Sequence, residues 1–152
     1  MRISNGSVPQ GQHHVYLIDT NVVSEARKKA NANSGVADFF AHASTADEPM
    51  YLSSVSVGEL RRGVELIRHR GDASQANLLE VWLTIVLEQF GDNILAFDAN
   101  TAQVWGRLRV PRADHELDKQ NAAIALVNDL TIVTRNTADF DGTGVRLLNP
   151  FR

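Results

Sequence analysis

The chain has 152 residues, of which 43% are hydrophobic and 22% charged, with a formal charge of −3. This is ordinary globular composition with enough length for a real core. The absence of cysteine rules out disulfides and thiolate metal sites, and 15 basic against 18 acidic residues leave no polybasic field for non-specific nucleic-acid binding.

No stretch approaches the roughly 18 apolar residues of a membrane span. Met1–His14 is polar, carries Gly6, Pro9 and Gly11, and lacks the apolar core of a signal peptide. It reads as a flexible extension ahead of a single domain over 15–152, and a cytoplasmic setting is expected. His13-His14 in such a tail reads as inert rather than as a metal pair.

The first element is Val15–Ile18, a short apolar run that reads as a buried strand. It ends in Asp19-Thr20-Asn21. Asp19 is either a turn or cap residue or an acid at the C-terminal end of a parallel strand, where open sheets build their sites. A helix is expected over 21–29 and another over 36–43, with a polar break at 31–35. Tyr51–Val55 reads as the second strand.

Ser56-Val57-Gly58-Glu59 then opens a helix in capping-box form, so Glu59 reads either as a cap partner of Ser56 or as a site acid. Gly71-Asp72 breaks that helix. Ser74–Phe90 makes a second long one, giving a helical hairpin whose Leu and Trp stripe reads as core or interface.

Ile94–Phe97 is the third strand candidate, and Asp98 reads as the N-cap of a helix over Ala99–Leu108. Val110–Leu117 is irregular; within it His115-Glu116 lacks a second His at metalloprotease spacing and reads as a solvated loop. Asp118 and Lys119–Asn128 form a helix, Leu130–Val133 a fourth strand, and Val145–Leu148 a fifth.

Strands alternate with helices and no hairpin signature appears. The pattern is α/β with a mainly parallel sheet and helices on both faces. Asp19, Glu59 and an acid after strand four then share one sheet edge; an acid opening the helix before strand four joins them if the irregular segment carries the chain there. By spacing alone Asp114, Glu116 and Asp118 compete for the third place, and Asp139 and Asp141 for the fourth. Converging carboxylates either raise their pKa values or recruit a cation. All-oxygen donors favour Mg²⁺ or Mn²⁺ over zinc, and such an ion commonly serves phosphoryl chemistry. Phosphate-loop, dinucleotide and nucleophile-elbow motifs are absent. A single-Asp phosphoacceptor reading is weak, because strand one lacks paired acids.

Four segments together resemble a known family: LIDTNVVSE at 17–25, SVSVGELRRG at 54–63, LDKQNAAIAL at 117–126 and IVTRNTADF at 132–140. They are similar to PIN-domain ribonucleases, in particular the VapC/FitB-like toxins of type II toxin–antitoxin modules. FDANTAQVWGRL at 97–108 and LLNPF at 147–151 extend the match to nearly the whole chain. The resemblance implies a three-layer α/β/α PIN-like domain with about five strands, and metal-binding catalytic acids at Asp19, Glu59, Asp118 and Asp139. It implies Mg²⁺- or Mn²⁺-dependent hydrolysis of RNA phosphodiesters to a 5′-phosphate and a 3′-hydroxyl.

It also places Asn21, Thr134 and Asn136 as polar supports of the site. Arg61, Arg62, Arg135 and Lys119 are candidates to hold RNA phosphates. A homodimer is implied, together with a ribbon-helix-helix antitoxin through which any DNA binding would run. Two departures stand out: Asn121 occupies an expected apolar position, and Met1–His14 has no counterpart. The alternative is a PIN-fold binding module acting mainly through its partner, with little nuclease activity.

Overall fold

The computed structural model describes residues 14–152; the expected extension therefore lies outside the described residues except for His14. Five strands form one sheet: β1 (Tyr16–Ile18), β2 (Met50–Ser53), β3 (Ile94–Leu95), β4 (Thr131–Val133) and β5 (Arg146–Leu148). Every pairing is parallel and the order is β3-β2-β1-β4-β5. Six helices surround it: α1 (Thr20–Ala26), α2 (Ser34–Thr45), α3 (Ser54–His69), α4 (Ala73–Phe90), α5 (Ala99–Leu108) and α6 (Glu116–Asn128).

The alternation of side chains along a strand divides the core in two. Tyr16 and Ile18 of β1, Met50 and Leu52 of β2, and Val133 of β4 pack with apolar residues of α1, α2, α3 and α4. Val15, Leu17, Tyr51 and Ile132 face the other way, against Ala122, Ile124 and Ala125 of α6 and Phe140. A strand buried on both faces is apolar at most positions, which is why β1, β2 and β4 read as mainly apolar runs, with the buried Ser53 and Thr131 at the ends of β2 and β4.

The order of the strands locates the one reversal in the sheet. From β1 the chain steps outward to β2 and β3, then returns across β1 to lay down β4 and β5. Chain connections leave β1 and β4 in opposite directions, opening a crevice at the C-terminal ends of these two strands. Because α6 feeds β4, its N-terminus returns to that same edge.

Two local readings change. The cap of α3 is Ser53, whose Oγ accepts the N–H of Ser56 at 2.9 Å, so the helix starts earlier than a Ser56 capping box would have it. Glu59 therefore lies on the second turn, and its carboxylate is not bound back to Ser56. The helix carrying Asp118 also begins earlier, at Glu116, with the left-handed His115 before it. Asp98 caps α5 as expected, accepting from the N–H and hydroxyl of Thr101 at 2.9 and 2.8 Å.

Asn121 is buried and accepts a hydrogen bond from Ser53 Oγ at 2.5 Å. The polar residue at an apolar position is thus a core group with a partner, tying α6 to the end of β2. Among the described residues no helix is long and apolar enough to cross a membrane.

Candidate active site at the sheet's switch point

Asp19 stands directly after β1. Its backbone N–H donates to Val133 O at 2.9 Å, fixing it against the end of β4. One carboxylate oxygen accepts the Thr20 N–H at 2.8 Å, which caps α1. The other accepts from Thr134 Oγ1 at 2.8 Å and from Asn21 Nδ2 at 3.2 Å. The cap reading of Asp19 is thus observed on one oxygen, while the other is held at the strand ends by Thr134 and Asn21.

The supports are themselves supported. Asn21 Oδ1 accepts the Arg135 N–H at 3.0 Å, and Thr134 Oγ1 accepts the Asn136 N–H at 3.1 Å. Asn21 and Thr134 thus tie the turn after β4 to the start of α1. Asn136 enters through its backbone, and its side chain is exposed.

Asp118 approaches from the first turn of α6, Asp139 from the 3₁₀ turn Thr137–Phe140 after β4, and Glu59 from α3. The carboxyl of Asp118 is pushed up to about 6, first by burial and then by the negative charges of Asp19, Asp139 and Glu59. That response brings all four acids into one electrostatic neighbourhood. The two competitors for the third place are paired with bases: Asp114 with Lys119 at 2.9 Å and Glu116 with Arg109 at 2.7 Å.

The sequence reading missed His115. It is not a solvated loop residue alone: its Nδ1 lies 3.8 Å from Asp118 Oδ2 and 4.0 Å from Asp139 Oδ1. Among the described residues, His115, Asp118 and Asp139 form the group whose donor atoms converge closely enough, within 4.8 Å of one another, for one ion. Spacing contained the signal, because positions i and i+3 at a helix N-terminus share a face.

A divalent cation fits this set. The donors are predominantly hard carboxylate oxygens, and Asp118, raised first by burial and then by the neighbouring acids, ionises at a cost that a bound cation would offset.

The basic candidates separate by environment. Lys119 is 7% exposed and donates to Arg112 O at 2.8 Å as well as to Asp114, so its ammonium holds the loop before α6 rather than facing solvent. Arg61 pairs with Glu80 at 2.7 Å and with Glu65. Arg62 is exposed on α3. Arg135 is exposed and lies over the ring of Phe151, 4.9 Å from its centroid.

Residues 16–144 match the family model described as PIN domain. The chain belongs to the PIN-domain family. Its PIN domain is 33% identical over 142 residues to the plasmid stability protein StbB of Pseudomonas syringae pv. tomato, covering 89% of this chain and 97% of that protein. It is 27% identical to VapC ribonuclease Y4jK of Sinorhizobium fredii, over 89% and 96% of the two chains. The PIN domain also superposes on a chain in the crystal structure of FitAcB from Neisseria gonorrhoeae. There the TM-score is 0.76 and the identity 32%, over 90% of this chain and 98% of the other.

Proposed function

We propose that this PIN domain is a divalent-metal-dependent endoribonuclease and the toxin of a type II toxin–antitoxin pair. The observation that carries the reading is the electrostatic coupling of acids from four separate segments at the crevice, with Asp118 raised to about 6 first by burial and then by the other three. The names of its relatives, among them a VapC ribonuclease and a FitAcB complex, support it.

Mg²⁺ or Mn²⁺ bound here would supply positive charge to a phosphate and acidity to a water molecule. The chain's residues then have distinct tasks. Asp19, held by Thr134, Asn21 and the Thr20 N–H, presents one carboxylate in a fixed direction. Asp118, Asp139 and Glu59 close the site from the other side. Arg62 and Arg135, both exposed, would hold phosphates flanking the scissile bond, a role that suits Arg61 and Lys119 less because carboxylates already engage them.

A second surface supports the antitoxin. An apolar groove of about 500 Å³ runs between α1 and α4, lined by Val23, Ala26, Leu79 and Trp82, with Leu78 and Ile85 exposed along it. Through Arg27, Leu79 and Trp82 it continues into a hollow that reaches Glu59. An amphipathic segment seated there would carry a basic side chain to the acids, where it replaces the cation. The ribbon-helix-helix antitoxin, the homodimer and the cytoplasmic setting belong to the same proposal.

The test is cleavage of a mixed RNA pool in Mg²⁺, Mn²⁺ or EDTA, with Asp19→Asn as control. Cleavage that requires metal and vanishes in Asp19→Asn is expected. An absence of both cleavage and metal-induced thermal stabilisation overturns the proposal.

A further inference from the structure

We propose that His115 is a nitrogen ligand to the ion held by Asp118 and Asp139, and that it tunes this site toward Mn²⁺ over Mg²⁺. The inference rests on the metal-dependent reading above and adds to it a donor outside the four acids.

Geometry is the first support. A charged hydrogen bond between imidazole and carboxylate would close to about 2.8 Å, whereas His115 Nδ1 stands 3.8 and 4.0 Å from its two acids. The three donor atoms lie within 4.8 Å of one another, so an ion seated among them would draw each inward by only a short distance, and no direct imidazole–carboxylate hydrogen bond stands in its way. His115 and Asp139 line a polar cleft of about 310 Å³, together with Asp141 and Thr143, that gives an ion a way in.

The backbone is the second support. His115 adopts a left-handed conformation, φ 51° and ψ 48°, immediately before α6. Its carbonyl accepts the Lys119 N–H at 2.9 Å, and the loop before it is fastened by Lys119 Nζ to Arg112 O and Asp114 Oδ1. The buried lysine thus holds the loop that carries His115 against the acids. It also neutralises Asp114, and Arg109 neutralises Glu116, so the acids on either side of His115 do not draw the imidazole away.

Donor chemistry sets the consequence. Mg²⁺ prefers oxygen and gives up its waters reluctantly, while imidazole nitrogen suits transition ions. Adding one nitrogen to an oxygen site therefore favours Mn²⁺ selectively.

Thermal melts of the full chain across Mn²⁺ and Mg²⁺ titrations, with His115→Ala and His115→Gln, give the affinities. Pulsed electron paramagnetic resonance of the Mn²⁺-loaded wild type reports nitrogen bound to the ion. Expected are a nitrogen coupling in the wild type and a loss of about tenfold or more in Mn²⁺ affinity in both variants. Mg²⁺ affinity should change far less. Metal binding without nitrogen coupling, or equal losses for both ions, overturns the role of His115 and leaves the nuclease reading standing. No stabilisation of the wild type by either ion overturns both.

Discussion

The two sides of the crevice are built on opposite principles. On the β1 side, Asp19 is 8% exposed and its carboxylate accepts three hydrogen bonds, from Thr20, Asn21 and Thr134. On the α6 side, the side chains of Asp118 and Asp139 are 30% and 39% exposed, and the nearest group of opposite character is an imidazole almost 4 Å away. The first side is satisfied without a ligand. The second holds charge that the protein itself does not neutralise. In the proposed metal site, one acid fixes position and the others hold the charge that a cation would offset.

That division predicts opposite responses to removal of the two aspartates, and the largest belongs to Asp19. Asp19→Ala strands the Thr134 hydroxyl, the Asn21 amide and the first N–H of α1 at a buried strand end. The loss should be about 2–3 kcal/mol, seen in urea denaturation of the metal-free protein as a lower midpoint with an unchanged slope. An Asp19→Ala chain as stable as the wild type would show that the β1 side is not the anchor described here.

Asp118 should behave in the reverse sense. Its folded-state value of about 6 lies above that of an unfolded aspartate, about 4, so folding takes up a proton between these values. The cost of the ionised carboxylate is absent below about pH 4, grows as pH rises, and is complete above about pH 6. Asp118→Asn should therefore stabilise the metal-free protein at pH 7.5, by about 1 kcal/mol after allowance for solvent screening. The gain should fade as pH is lowered toward 4. In saturating Mn²⁺ the order inverts, because the wild type gains binding energy that the variant lacks. Metal-induced stabilisation of the wild type should likewise weaken below about pH 6, where Asp118 takes up its proton. Melting curves at pH 4.5 and 7.5, with EDTA or Mn²⁺, check every part of this.

How much of the asymmetry was legible in the sequence depends on its range. The apolar runs of β1, β2 and β4 name themselves, and Asp19 at the end of the first is visible as a strand-end acid. The pattern of alternation gives the parallel sheet, but not the order β3-β2-β1-β4-β5, which decides where the crevice opens. Glu59 reads two ways in the sequence because Ser56, three residues before it, completes a capping-box pattern, and only hydrogen bonding reveals Ser53 as the cap. Spacing leaves Asp114, Glu116 and Asp118 open and only the family resemblance favours Asp118; the structure adds that Lys119 and Arg109 occupy the other two. His115 went unread because a motif search asks for a second histidine, whereas its partners here are acids from two different elements. Lys119 looked like a phosphate contact because a basic residue on a helix is usually exposed; its burial follows from the loop that wraps it.

The smallest effect separates the acids of the charged side from one another. Burial contributes most to the raised Asp118, and among the acids Asp19 acts more strongly than Asp139 and Asp139 more strongly than Glu59. Removing Asp19 also breaks the anchor, so Asp139→Asn and Glu59→Gln make the cleaner pair. Carboxylate NMR titration of Asp118 in metal-free protein should show its pKa falling in both, and falling further in Asp139→Asn. Glu59 is exposed on the second turn of α3, where solvent screens its charge more than that of the half-buried Asp139. Raising the salt concentration should therefore diminish the Glu59→Gln effect before the Asp139→Asn effect. A reversed ranking would move Glu59 inward to the charge cluster and leave Asp139 at its margin, with the ion displaced toward α3 and away from His115.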